Sequence, residues 1–403
     1  MPTRAQVCTW IAAFGLVAPC SAAAQGRTER EVVDLIVRDG PRAIAIRAET
    51  EVIRREQLTR LAYPNPGITY SREGAGSTEF LLIEQALPIF GVRPALDRVG
   101  VAATAATEAE RDARLWILRA DAASAVARLV TWEERLQMAE VHAREVERLI
   151  GILRTREREG EGSRFDRVRA EQELREVRQA VTTAAIAAAD ARATVSALLP
   201  RDTPVARITV VSPGVQPLPR LDLLMERARS TRAELRALER AGERADLESH
   251  AARRARFPGP TIFGGLKRAD GTSGRESGGV FGLNITLPLF DTGGREAEKW
   301  AAERARVDAE RAAVEGQIRA EIRRASESLA VRQRALVEDQ ASAGDELMEI
   351  AEVAYREGEV GILELLDAVR TSSRARVRNV EIRLEARLAQ IALERAVGDV
   401  LWP

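Results

Sequence analysis

The chain has 403 residues, with 61 Lys+Arg against 61 Asp+Glu, 30% charged residues and only 4% aromatics. That length allows either a large core or one very elongated domain, and the Ala-, Arg-, Glu- and Leu-rich stretches favour the elongated form, as in coiled coils. Balanced charge excludes the basic field that nucleic-acid binding requires, and mixed signs along helix faces read as solvated surface.

Arg4 precedes an apolar run from Trp10 to Ala18, followed by Pro19-Cys20-Ser21-Ala22-Ala23-Ala24-Gln25. A positive start, a short apolar core and small residues before Gln25 predict a secretory signal peptide over 1–24. The run is too short to span a membrane comfortably. The alternative is cleavage before Cys20 with lipid attached there, which Pro19 fits poorly. Cys8 and Cys20 both lie in this leader, so the exported chain is expected to have no disulfide. Beyond the leader there is no run of about 18 apolar residues, which leaves a periplasmic, secreted or outer-membrane β-barrel protein.

The remainder reads as two copies of one plan. Leu87-Pro88-Ile89-Phe90 recurs 200 positions later as Leu287-Pro288-Leu289-Phe290, and Arg158-Glu159-Gly160-Glu161 recurs 198 positions later as Arg356-Glu357-Gly358-Glu359. The first copy is expected over 25–200, with short helices, a β-hairpin near 66–90 and a long helix pair near 94–199. A linker over 201–220 follows. The second copy, 221–403, holds a helix near 221–256, a hairpin near 258–290 and a helix pair near 295–399.

In the first hairpin, Gly67–Ser71 pairs with Phe80–Leu87 across Gly74-Ala75-Gly76, although Gln85 occupies an expected apolar place. In the second, Phe281, Leu283, Ile285 and Leu287 alternate with Val280, Gly282, Asn284 and Thr286, the period of a strand with one apolar face. Thr261–Lys267 supplies its partner, and Asp270-Gly271-Thr272-Ser273-Gly274 has turn chemistry. Pro88 and Pro288 are expected to end their strands by removing a ladder donor, at the passage into a helix.

The outgoing helix of the second copy is expected to run unbroken from about Arg295 to Glu357, roughly 95 Å at 1.5 Å per residue. Val307, Val314, Ile318, Ile322, Ala325, Leu329 and Leu336 form its narrow apolar stripe. Such stripes suit side-by-side helix packing, not a thick core. Four strands per chain cannot close a barrel, since about eight are needed even to fill one with side chains. Left open, they would expose edges and an apolar face. Association solves both problems, and three copies would give twelve strands, although this arithmetic does not choose three over two or four.

Taken together, the duplicated hairpins, the 282–291 run Gly-Leu-Asn-Ile-Thr-Leu-Pro-Leu-Phe-Asp, Tyr355-Arg-Glu-Gly358, and Leu363-Glu-Leu-Leu-Asp367-Ala368 resemble the TolC-type outer-membrane efflux protein family. Asn65-Pro66-Gly67-Ile68-Thr69 and Phe263-Gly-Gly-Leu-Lys267 lean toward its cation-efflux, CzcC-like branch. The resemblance implies a mainly α fold with a small β part: a homotrimer forming a twelve-stranded barrel in outer-membrane lipid and a long α-helical barrel in the periplasm. It also implies a periplasmic adaptor and an inner-membrane pump of the RND type as partners, in an efflux or secretion system whose cargo the sequence does not specify.

Gly160, Gly162, Gly358 and Gly361 occupy the two helix-hairpin turns. Glycine is expected there for the positive φ of a tight reversal, and the resemblance adds adaptor docking at the same turns. Glu364 and Asp367 fall where the family places acids lining a periplasmic constriction, able to attract cations. The alternative is a solvated face near a helix N-terminus, where acids suit the dipole. The first copy has Asp166 and Arg169 at these places, a departure that would allow charge pairing across the tip.

His142 and His250 are the only histidines and lie far apart in sequence, so no metal site is expected from them. No nucleophile, phosphate-loop or metalloprotease signature is present. Neither enzymatic activity nor a cofactor is expected. The rival reading is a periplasmic coiled-coil scaffold or adaptor without a pore. The paired Gly-rich hairpins argue against it, because a scaffold has no need of barrel strands.

Overall fold

The computed structural model describes residues 26–402, except 75–76, 206, 210–213, 258, 272–273 and 341–343. The expected leader, with Cys8 and Cys20, therefore lies outside the described residues, as do Pro258 and parts of both hairpin tips.

A short strand, β1 (Arg27–Thr28), leads into α1 (Glu29–Asp39). Thr28 and Glu31 form a reciprocal capping box, the backbone N–H of Thr28 donating to Glu31 Oε2 at 2.8 Å and that of Glu31 to Thr28 Oγ1 at 3.3 Å. Pro41 then opens α2 (Pro41–Arg60) at the position where its missing N–H costs nothing. The first hairpin comprises β2 (Gly67–Glu73) and β3 (Thr78–Ala86), followed by α3 (Val92–Glu159) and α4 (Arg164–Leu198). Within the expected linker, β4 (Ile208–Thr209) pairs in parallel with β1. The second half comprises α5 (Leu221–Thr231), α6 (Ala233–Ala255), the hairpin β5 (Thr261–Gly271) and β6 (Gly274–Asn284), then α7 (Gly294–Gln340), α8 (Gly344–Arg356) and α9 (Ile362–Val397). The helix expected over Arg295–Glu357 is thus described as α7 and α8 on either side of 341–343.

At 68 residues, α3 runs about 100 Å. It packs along α2, α4, α6 and α9, while α7 packs along α6 and α9. The apolar stripes meet in separate clusters along this length. Ala95, Val99 and Ala251 sit near the sheet. Val32, Ile36, Val126, Leu129 and Val195 form a middle cluster, beside a second built on Leu224, Ile322, Leu329 and Leu393. Ala120, Ala127 and Ile391 join the two halves. Leu149, Ile150, Leu153, Val177, Leu365 and Val369 close the end next to the helix turns.

The four hairpin strands make one antiparallel sheet in the order β2-β3-β5-β6. The hairpins join through β3 and β5, from Ala86↔Thr261 to Glu79↔Arg268. Among the described residues, both outer strands, β2 and β6, keep a free edge.

The strands stop earlier than the prolines suggested, β3 at Ala86 and β6 at Asn284. The partner strand runs out first: Thr261, the first residue of β5, pairs with both Ala86 and Asn284. Before it stands Pro260, which has no N–H, although its carbonyl still accepts from the Leu87 N–H at 2.8 Å. Pro88 and Pro288 are instead the centres of three-residue turns, in which Ile89 N–H donates to Leu87 O and Leu289 N–H to Leu287 O, both at 2.9 Å. The fixed φ of proline is that of an inverse γ-turn. Left-handed glycines, Gly91 (φ 78°) and Gly293 (φ 70°), then redirect the chain into α3 and α7.

Below the sheet, the Arg60 guanidinium binds both carboxylate oxygens of Glu248, at 2.7 and 2.9 Å. Glu248 is buried whereas the Arg60 side chain is about one-third exposed. Removing the arginine leaves a buried carboxylate without its partner, so Arg60→Ala is expected to destabilise the fold by about 3 kcal/mol, more than Glu248→Gln does. Thermal unfolding followed by circular dichroism measures both variants.

Candidate functional site

Strand register sorts the sheet residues into two faces, because directly opposed residues in an antiparallel pair point the same way. One face carries Ile68 and Tyr70 of β2 opposite Ile83 and Leu81 of β3, and continues through Ile262 and Leu266 of β5 to Leu283 and Phe281 of β6. All of these large apolar side chains are exposed, Phe281 by 88% and Ile68 by 74%. The opposite face mixes half-buried Phe80, Leu82, Phe263 and Val280 with Thr69, Ser71, Glu84, Lys267 and Asn284. Gln85 belongs to the apolar face at its helix end, where its amide donates to Pro64 O at 2.9 Å. A polar residue is tolerated there because its hydrogen bonds are made locally.

Glycine is dictated at the centre of the second hairpin. A Cβ on Gly282 would lie 2.1 Å from Phe263 Cζ, because the Phe263 ring covers the opposite glycine. The 282–291 run and the 263–267 segment, quoted separately in the sequence, are therefore two sides of one contact.

At the other end of the helices, both turns are Schellman motifs. Glu161 N–H donates to Arg156 O at 2.9 Å and Gly160 N–H to Glu157 O at 3.3 Å; Glu359 N–H donates to Ala354 O at 2.8 Å and Gly358 N–H to Tyr355 O at 3.2 Å. Gly160 and Gly358 both have φ 79°. The expectation of positive φ holds for these two and fails for the others. Gly162 is required by crowding, since its Cβ would stand 3.0 Å from Arg156 Cβ and from Glu157 N. Gly361 is the N-cap of α9 at φ −82°, close to the Glu364 carboxylate.

Glu364 and Asp367 are exposed, while Ile362, Leu365, Leu366 and Val369 on the same helix turn into the core. Asp166 is half-buried in the first turn of α4 and Arg169 is exposed. A charge pair between the two halves near the helix turns was not anticipated from the sequence. Arg370 of α9 binds the buried Glu173 of α4 and lies 4.0 Å from Glu176. The hydrogen bond to Glu173 holds the Arg370 guanidinium above its ordinary pKa. With the partners 197 positions apart, no local spacing announces the pair.

A second polar centre sits midway along the helices. Arg387 donates to Glu29 Oε1 at 2.8 Å, fastening α1 to α9 across 358 residues. Beside it the Glu394 carboxyl is pushed above its usual range by burial, although it accepts from the backbone N–H of Leu401 at 3.1 Å. His142 and His250 stand on different helices, α3 and α6. Among the described residues no group of three or more His, Cys, Asp or Glu is placed to hold a metal ion.

Residues 224–399 match the outer membrane efflux protein family. The chain is also 30% identical over 162 residues to outer membrane protein OprJ of Pseudomonas aeruginosa, an alignment covering 37% of the chain and a third (33%) of that relative. Solved structures of the same fold extend the likeness to nearly the whole chain. The Neisseria gonorrhoeae MtrE outer membrane channel in its open state superposes with a TM-score of 0.71 at 19% identity, covering 93% of this chain and 89% of its own. CusC gives 0.70 at 16% identity, covering 92% of each chain. VceC of Vibrio cholerae gives 0.66 at 15% identity, covering 92% of this chain and 96% of its own. The protein therefore has the fold of an outer-membrane efflux channel subunit: mainly helical, with a small sheet. These likenesses do not single out the cation-efflux branch.

Each left-handed turn glycine has a measurable cost of replacement. Gly160→Ala and Gly358→Ala are each expected to lower stability by about 1 kcal/mol, because a Cβ is disfavoured at positive φ. Asparagine, which tolerates that conformation, should cost less in the same melting experiment.

Proposed function

We propose that the chain is the outer-membrane exit duct of a tripartite efflux or secretion system, assembled as a homotrimer and extending into the periplasm. The observation that carries this reading is the four-stranded sheet, with one exposed apolar face and two free edges. In water such a face has no partner; in a bilayer it is the lipid-facing surface of a barrel. Four strands are too few to close one, and three copies joined edge to edge supply twelve, wide enough for an aqueous lumen. No helix among the described residues is long and apolar enough to cross a membrane, so the sheet is the element suited to it.

The long helices then form the periplasmic tube, with the Gly160 and Gly358 turns at its inner end. Gly160, Gly162, Gly358 and Gly361 shape the surface offered to a periplasmic adaptor, behind which an inner-membrane pump of the RND type supplies the energy. Conduction through the duct is passive. Exposed Glu364 and Asp367 from each copy would ring the entrance with carboxylates and favour cations. The likeness to efflux channels supports this reading over a pore-less scaffold, which gains nothing from an outward-facing apolar sheet.

The two faces separate the readings experimentally. Leu81→Arg or Phe281→Arg places a charge toward lipid and is expected to cost about 2–4 kcal/mol, emptying the outer-membrane fraction, whereas Thr69→Arg on the other face should leave it filled. Equal behaviour of all three variants would contradict the assignment. In planar bilayers, Glu364→Gln with Asp367→Asn should reduce cation-over-anion selectivity; unchanged selectivity would remove both residues from the constriction.

A further inference from the structure

Helices α3, α8 and α9 enclose a cavity of about 300 Å³. The chain contains only 4 methionines and 2 histidines, yet Met138 and His142 of α3 and Met348 of α8 all line this one cavity. Met138 and His142 are one helical turn apart and so share a face. Met348 comes from the other half of the chain and packs partly buried against the core cluster at the helix turns.

The imidazole is oriented and incompletely satisfied. His142 Nδ1 lies 3.0 Å from Ser373 Oγ, while Nε2 is enclosed with no hydrogen-bond partner. Ser372 Oγ, on a residue 2% exposed, is likewise without a partner at the same cavity. In the tautomer whose Nδ1–H donates to Ser373 Oγ, Nε2 offers a lone pair with no partner in the chain. A water molecule would supply one, but two thioethers, which are weak acceptors, add little to a water site. They are soft, polarizable donors that select monovalent copper and its analogues over hard cations.

We propose that Met138, His142 and Met348 form a binding site for a soft monovalent metal ion of the Cu(I) or Ag(I) class, with Ser373 as the positioning residue that fixes the imidazole. Of the acids at the cavity, Glu134 is bound by Arg383 at 2.5 Å, and Glu145 lines the wall together with Arg376. Among the described residues no thiolate or carboxylate cage is present to favour zinc or calcium. A bound ion would fasten α8 to α3. This site stands on the cavity chemistry alone and is independent of whether the chain forms a channel.

The test is titration of the detergent-purified full chain with Ag(I) in a chloride-free buffer, with any retained thiol of Cys8 or Cys20 blocked by N-ethylmaleimide. One Ag(I) per chain is expected, with a rise in melting temperature. Met138→Leu and Met348→Leu, near-isosteric changes that preserve folding, are each expected to weaken binding about tenfold or more, and Ser373→Ala by about tenfold. Met225→Leu, in another core cluster, should bind as the parent does. X-ray absorption of the Cu(I)-loaded protein should show sulfur together with nitrogen neighbours. Stoichiometric binding that survives both leucine substitutions, or no binding above that of the Met138→Leu/Met348→Leu/His142→Gln variant, would overturn the site and leave the methionines as packing residues.

Discussion

Everything in this fold is arranged around a sheet that cannot be completed within one chain. Its strands pair in the order β2-β3-β5-β6, bringing the two hairpins into one surface and leaving β2 and β6 unpaired on their outer sides. One face of that surface is apolar and exposed from edge to edge. An isolated chain would carry two costs, unpaired backbone groups at the edges and a greasy face in water. Closure with other copies in a bilayer would remove both.

The helices follow from the same geometry. Each half must leave the sheet, run out, turn and return, so each exit repeats a proline-centred turn and a left-handed glycine, and each far turn repeats a Schellman motif. Because long helices side by side offer only narrow contacts, the core is not one mass but a series of clusters strung along α3 and its neighbours. Alanine fills much of that contact, which explains why the composition resembles that of coiled coils. Ion pairs between distant segments, such as Arg60–Glu248, Arg370–Glu173 and Arg387–Glu29, tie the halves together where apolar contact is thin.

Much of this was legible in the amino-acid order. Period-2 alternation located β6, paired landmarks revealed two similar halves, and proline-free stretches marked the long helices, α3 and α4 within a residue or two of their observed ends. What escaped was whatever depends on a partner far along the chain. Alternation alone ran β6 on to Leu287, because nothing local shows that β5 begins only at Thr261. Gly162 and Gly361 read as turn glycines like Gly160, although crowding against Arg156 and a helix cap set them apart, and only the folded backbone distinguishes these reasons. The Glu173–Arg370 pair near the tip escaped as well, because its proximity is tertiary. Likewise His142, set aside for want of a second histidine, acquires its soft neighbour Met348 only through the packing of α8.

The central claim, that the open sheet is one third of a closed barrel, is tested most directly by the native mass of the chain extracted with detergent from outer membranes. The account predicts a species of about three protomers, found in that membrane fraction and requiring detergent to leave it. A soluble monomer or dimer would contradict it and turn the hairpins into docking elements of a helical scaffold.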